Sequence, residues 1–261
     1  MSDELLSAEI DGRPVSTDQL WQLALHSFGH FTAMQVRDGR VRGLDLHLAR
    51  LAAANRELFD ADLDPDLIRA RIRHALGDLR AGSVRTMIQR PDDFAAPIVF
   101  VTVRPPHSAP AEPHRLLSVP HQRELPHLKQ VGGGFGQVHY RHLAERKGYT
   151  EILLTGPDGV LAEGGISNIG CFDGSALVWP DAPALSGITM QLLERHLPAA
   201  GIPCRRQALR VADLGAFKSI LVTNSRGLAP ADRVDEQAVP VDDGFVRRVS
   251  AVYESVPWDV I

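Results

Sequence analysis

A two-domain α+β protein is predicted by three features of this 261-residue chain. Hairpin signals and amphipathic helical patterns alternate along it, they do so on both sides of a Pro-rich passage from Pro105 to Pro113, and no internal repeat or low-complexity tract imposes another plan. The length suffices for a full apolar core in one large domain or two small ones. A Pro-rich segment is stiff and hard to bury, so the boundary is expected there, giving domains 1-108 and 109-261.

Ala8 to Val15 reads as a hairpin turning at Asp11-Gly12, and Ser16 with Gln19 three residues on forms a capping-box pattern for a helix to about His26. A second hairpin is expected from Thr32 to Arg42 around Asp38-Gly39. Asp45 is then placed to cap a helix whose Leu48, Leu51, Ala52 and Leu58 recur at helical spacing, and another helix is expected from about Pro65 to Leu79. Ser83 to Gln89 and Pro97 to Val103 have the β-branched, apolar character of paired strands. Beyond the Pro-rich passage the pattern predicts a strand near Leu116, a helix around Val138 to Lys147 and a strand at Glu151 to Leu154. A turn at Pro157-Asp158-Gly159 and a hairpin at Asp173-Gly174 follow. A helix from Ile188 to Leu197, strands around Gln207 and Ile220, and a terminal helix from about Phe245 complete the expected elements.

Net charge is −4, with interspersed signs and no basic block, which argues against a nucleic-acid partner. Two cysteines, Cys171 and Cys204, are too few for a disulfide framework and lack zinc-knuckle spacing. They read as small apolar residues of a cytoplasmic protein. The acidic start Met1-Ser2-Asp3-Glu4 and the absence of a long apolar run argue against export and membrane insertion.

Only three lysines occur, Lys129, Lys147 and Lys218. Lys129 precedes Gln130-Val131-Gly132-Gly133-Gly134, a run that lets backbone approach a planar ligand. A partly desolvated lysine amine is a Schiff-base nucleophile and afterwards a proton shuttle; in isolation it reads as solvated surface. Glu163 follows Val160-Leu161 and precedes Gly164-Gly165, where a strand ends, and a carboxylate there can pair with a pyridinium nitrogen; its plain alternative is a turn residue. Gly187-Ile188-Thr189 opens a helix whose free N–H groups suit a phosphate, although Ser-Gly before a helix is also an ordinary cap. Thr223-Asn224-Ser225-Arg226-Gly227 can add donors or be a polar turn. An amine, a carboxylate and a phosphate-sized nest are what a protein supplies to hold pyridoxal 5'-phosphate (PLP).

These residues carry a resemblance. The whole chain resembles the class IV aminotransferases, the fold type IV PLP proteins that include branched-chain aminotransferases, D-amino acid aminotransferases and aminodeoxychorismate lyases. The family's histidine, two residues, then arginine-leucine appears as His47-Leu48-Ala49-Arg50-Leu51, and the resemblance gives Arg50 the phosphate-binding role. Lys129 stands at the family's distance before Gly148-Tyr149-Thr150-Glu151, where Lys147 and Lys218 do not. Asp158 to Ile169 matches the strand-end segment that supplies Glu163 to the pyridine nitrogen. Leu185-Ser186-Gly187-Ile188-Thr189-Met190 matches the phosphate turn, and Thr223 to Pro230 the late strand-loop that brings Asn224 and Ser225. Three departures from the pattern stand out. Gly133 and Gly134 stand where branched-chain enzymes carry Asn-Tyr, Ala33-Met34-Gln35 replaces the early Phe-Glu-Gly or Phe-Glu-Thr, and Met190 replaces an arginine.

The resemblance implies a small N-terminal α/β sandwich, a larger C-terminal pseudo-barrel, a homodimer, and an active site between the domains near the subunit interface. It further implies transamination of an amino acid and a 2-keto acid through a Lys129 aldimine. Its alternatives are elimination of the aminodeoxychorismate-lyase type and a PLP-binding protein without turnover. Phe28, His30 and Arg85 are substrate-side candidates, each also readable as core packing or a surface ion pair. His139 and His142 lack a third ligand nearby, so no metal is expected.

Overall fold

The computed structural model describes residues 4–91, 96–132 and 134–261. Its two compact units are Met1–His107 with Leu128–Gly133 and Pro257–Ile261, and Ser108–His127 with Gly134–Val256. One boundary is expected after residue 108; the chain changes unit at His107/Ser108 and then crosses back twice, each time because a short segment pairs with a strand of the first unit. Lys129 lies in the first of those segments.

In the first unit the elements are β1 (Ser7–Ile10), β2 (Arg13–Pro14), α1 (Thr17–Leu25), β3 (Gly29–Arg37), β4 (Arg40–Arg42), α2 (Leu44–Phe59), α3 (Pro65–Leu76), β5 (Ala81–Gln89) and β6 (Ile98–Arg104). Both Asp-Gly pairs turn hairpins with φ positive at the two central residues, 49° and 74° at Asp11-Gly12 and 51° and 68° at Asp38-Gly39, the combination whose twist matches the flanking strands. Ser16 and Gln19 close the expected capping box. The strands form one antiparallel sheet in the order C-terminal strand Trp258–Val260, β4, β3, β5, β6, β1, β2. Met34, Val36, Val84, Ile88, Val101 and Val103 pack against Leu51, Ile68 and Ile72 of α2 and α3.

One local expectation differs here. Asp45 does not cap α2: the chain enters through Gly43 at φ 66°, and the Leu44 N–H donates to Asp259 Oδ2 at 3.0 Å. The cap comes from a strand more than two hundred residues away, so a rule about neighbours misses both it and the C-terminal strand, which pairs with β4. Asp45 remains in the first turn, where its charge suits the helix dipole.

The second unit contains β7 (His114–Pro120), α4 (Phe135–Arg146), β8 (Glu151–Thr155), β9 (Leu161–Gly164), β10 (Asn168–Phe172), β11 (Leu177–Pro180), α5 (Ile188–His196), β12 (Cys204–Gln207), β13 (Ser219–Asn224), β14 (Gly227–Val234), β15 (Gln237–Ala238) and α6 (Asp243–Ser255). The sheet runs β12-β11-β10-β13-β14-β7-β8-β9, with β15 attached to β14. Its two ends are stitched together just beyond β12: the Leu161 N–H of β9 donates to Leu209 O at 2.7 Å, and Val160 bridges Arg210. The sheet is therefore curled, and both faces are apolar. Cys171, Val178, Ile220 and Val222 point into the curl, while Phe172, Leu177, Trp179 and Leu221 meet α5 and α6, with the Phe172 and Phe245 rings stacked 3.7 Å apart. Burial pushes the Cys171 thiol up to about 12, so it is an inert core residue. Cys204 is half-buried, and both cysteines are free. Among the described residues no helix is long and apolar enough to cross a membrane.

Candidate functional site

In the first unit, the lysine's place is set by its backbone. Phe31 N–H donates to Lys129 O at 2.8 Å and Val131 N–H to Gly29 O at 2.9 Å, so the segment extends the sheet beside the start of β3, where β4 does not reach. Lys129 Nζ lies 4.9 Å from the Phe31 ring centre, and Arg85 of β5 sets its guanidinium carbon 4.8 Å from the same ring. The lysine is half-buried. Lys147, at the end of α4, and Lys218 are exposed in the other unit.

Arg50, on α2, is held from beneath. Its Nη2 donates to Thr32 Oγ1 at 2.5 Å, and that hydroxyl lies 2.6 Å from His47 Nδ1. With the arginine donating to the same oxygen, the threonine proton is free to be given to Nδ1, an arrangement that suits neutral His47 protonated at Nε2. Burial first, then the charges of Arg50 and Lys129, hold the His47 pKa well below the ordinary histidine value. Burial also pushes Arg50 down to about 10, and its Nε is buried without a partner. A desolvated guanidinium with an unspent donor suits an anionic ligand.

His30 is only 1% exposed on the helix-facing side of β3. Burial pushes its pKa down to about 4, with Arg50 a lesser contributor and Asn55 acting in the opposite sense; Asn55 approaches without closing a well-formed hydrogen bond. The ring is thus a core group in this structure. Phe28 is 55% exposed and meets Phe59 edge-on at 5.6 Å. Gln35, at the altered early-strand position, is occupied structurally: it accepts from the His107 N–H at 2.8 Å and donates to Ser83 Oγ at 3.0 Å.

These two histidines predict a pH dependence. The unfolded chain protonates them near 6.5 and the folded one does not, so stability is complete above that value and falls as pH drops below it. The expected slope between pH 6 and pH 4.5 is up to about 1.4 kcal/mol per unit for each histidine. His47→Gln should reduce this slope in chemical denaturation series; an unchanged slope would contradict a neutral buried His47.

In the second unit, Glu163 of β9 is 5% exposed. Arg123 Nη1 donates to its Oε1 at 2.8 Å and the Leu185 N–H to its Oε2 at 3.2 Å. Asn168 Nδ2 donates to Leu185 O at 2.7 Å, so the Glu163 to Asn168 segment grips the Leu185 peptide from both sides. The turn that follows opens α5 through Gly187, with no side-chain cap on its first N–H groups. Thr189 Oγ1 donates to Asn224 O at 2.6 Å, which draws the β13–β14 turn, with Ser225 at its tip, onto the start of α5. The Thr189 hydroxyl proton is thereby committed, leaving its backbone N–H for a ligand. Gly187, Ile188, Thr189, Asn224 and Ser225 are thus brought together, beside the peptide that Glu163 holds.

Gly187 is required by close approach. A Cβ there would lie 2.0 Å from Asn168 Oδ1. Gly187→Ala should cost about 1–3 kcal/mol in thermal unfolding and displace the turn.

Gly133 lies outside the described residues. Gly134 is the N-cap residue just before α4, and Met190 is buried among Leu193, Phe172 and Phe245. His139 stacks on Phe135 at 6.1 Å, and His142 faces Glu145 at 3.3 Å. Among the described residues no group of three or more His, Cys, Asp or Glu could hold a metal ion.

Thr32 and Arg123 are not among the site residues expected from the sequence. Thr32 had a usable signal, a polar residue at an inward position of the His30, Met34, Val36 alternation. Arg123 had none, being in an irregular stretch forty residues from its partner.

The model of the family described as amino-transferase class IV matches residues 29–234, and the chain belongs to that family. It is 29% identical over 237 residues, 79% of this chain and 81% of the relative, to a bifunctional aminodeoxychorismate lyase / D-amino acid transaminase from Mycobacterium tuberculosis (strain ATCC 25618 / H37Rv). Among solved structures it is similar to the PLP-bound form of a hypothetical aminotransferase from Mycobacterium tuberculosis (TM-score 0.82, 22% identity, 96% of this chain and 98% of that one). It is also similar to the branched-chain amino acid aminotransferase of Escherichia coli (TM-score 0.84, 17% identity, 97% and 95%). The architecture is that of the fold type IV aminotransferases.

Proposed function

We propose that this protein is a PLP-dependent aminotransferase that moves an amino group between an amino acid and a 2-keto acid. The observation that carries the reading is the fixing of Lys129, a half-buried amine on a backbone ladder beside Phe31 and Arg85. The residues fit the cofactor in three respects: Arg50 has an orphaned buried donor, the start of α5 has uncapped N–H groups, and Glu163 is a buried carboxylate fixed by two donors. A PLP-bound relative supports the same cofactor.

When bound, PLP supplies an electron sink for negative charge at the substrate α-carbon. In this reading Lys129 would hold the cofactor at its aldehyde end and its amine would carry the substrate's α-proton. Arg50, the Gly187-Ile188-Thr189 N–H groups and the Asn224-Ser225 turn would bind the phosphate. Glu163 would keep the ring nitrogen protonated. Arg85 is the candidate for a substrate carboxylate, and Phe28 for an apolar wall; the buried His30 supports that wall from within. A homodimer working in the cytoplasm belongs to the same proposal.

Incubation with PLP and a panel of D- and L-amino acids, followed spectroscopically, should convert the cofactor to its pyridoxamine form, and a keto acid should reverse the change. The second reading is a lyase of the aminodeoxychorismate type, favoured by the double activity in the name of the Mycobacterium tuberculosis relative. Pyruvate release with no keto acid present would support the lyase; strict dependence on an acceptor would support the transaminase.

A further inference from the structure

Arg123 is a buried cation to which the reaction above gives no task. It sits in the irregular stretch between β7 and α4, its side chain 9% exposed, and it meets a Glu163 side chain that is 6% exposed. Nη1 donates to Glu163 Oε1 at 2.8 Å and to Pro126 O at 2.8 Å, the second bond tying the guanidinium to its own loop. The other carboxylate oxygen is held by the Leu185 N–H of the phosphate turn.

We propose that Arg123 is the positioning residue for Glu163, keeping the carboxylate ionised and in one orientation before the cofactor's ring nitrogen arrives. The proposal rests on the assignment of Glu163 to that nitrogen. Burial disfavours a lone carboxylate, and a contacting guanidinium offsets that cost. Donors from two different segments also fix the carboxylate plane, so the acceptor is ordered before binding rather than by it. Without Arg123 the buried carboxylate relieves its isolation by taking up a proton. It then presents a neutral acid where the ring nitrogen requires an acceptor. A lysine at 123 can restore charge but not the planar fork.

The test compares full-length wild type, Arg123→Lys, Arg123→Met, Glu163→Gln and the Arg123→Met/Glu163→Gln double variant. PLP affinity is measured by equilibrium ultrafiltration, the ring nitrogen's protonation by the chemical shift of 15N-labelled PLP, and apo-protein stability by thermal unfolding. Arg123→Met should weaken PLP binding at least about tenfold and shift the 15N signal toward the unprotonated ring, with Arg123→Lys intermediate. The double variant should bind no worse than the weaker single one, because both changes break the same pair. Wild-type affinity and 15N shift in Arg123→Met, or losses that multiply in the double variant, would overturn the proposal. Should wild type bind no PLP, the cofactor reading fails separately, and the unfolding data still decide: additive losses in the apo proteins overturn the Arg123–Glu163 coupling, and a double variant no less stable than either single supports it.

Discussion

Replacing Lys129 with alanine is expected to lower turnover by at least about 10⁴-fold while leaving the thermal midpoint within about 3 °C of wild type. Turnover and stability separate because they use different atoms. The ladder bonds that join residues 129–131 to β3 come from backbone N–H and C=O groups, which alanine keeps. The side chain contributes contact with the Phe31 ring, worth about 0.5–1 kcal/mol at a partly exposed position. Proton transfer by this amine has no substitute in alanine, and Lys147 and Lys218 are exposed where Lys129 is half-buried. Steady-state kinetics and calorimetry on Lys129→Ala, with Lys147→Ala and Lys218→Ala as controls, check this. Retained turnover in the first variant, or comparable losses in all three, would exclude a special role for Lys129.

Glu163→Gln is expected to reduce kcat by about 10²–10³-fold with a smaller change in KM, because a neutral amide cannot hold a ring proton as an anion does. This substitution should also lower stability, unlike the lysine change. Glutamine leaves the Arg123 guanidinium facing a neutral group in a buried place, and breaking a buried ion pair costs about 3–5 kcal/mol. Glu163→Asp keeps the charge but shortens the reach, and should recover stability more than turnover. A Glu163→Gln enzyme with wild-type kcat would remove the carboxylate from the chemistry, whatever its effect on folding.

Much of this fold is legible in the sequence wherever the governing contact is local. Asp11-Gly12 and Asp38-Gly39 turn as their φ preferences require, Ser16 and Gln19 cap α1 within one turn, and Asp64 with Pro65 starts α3. The strands β7, β8, β10, β11 and β13 are recognisable by apolar runs, because both faces of the curled sheet are apolar there, whereas β14 and β15 are not among the expected strands. Illegible features depend on partners far along the chain. Asp259 caps α2, residues 128–133 return to β3, and Trp258–Val260 closes the edge beside β4. The candidate site divides in the same way. Arg50, Lys129, Glu163 and the Gly187-Ile188-Thr189 turn stand in motifs with family spacing. Thr32, which orients Arg50, and Arg123, which grips Glu163, reach their partners only through the fold. Gln35 shows the converse: it stands where the chain departs from the family motif, and its side chain is spent pinning His107.

In the proposed function one lysine of three captures the cofactor. Loading the protein with PLP, reducing it with borohydride and mapping the modified peptide by mass spectrometry tests that directly. A single phosphopyridoxyl group is expected on Lys129, lost in Lys129→Ala and unaffected by Glu163→Gln at saturating cofactor. Modification at Lys147 or Lys218 instead, or none at all, would contradict it.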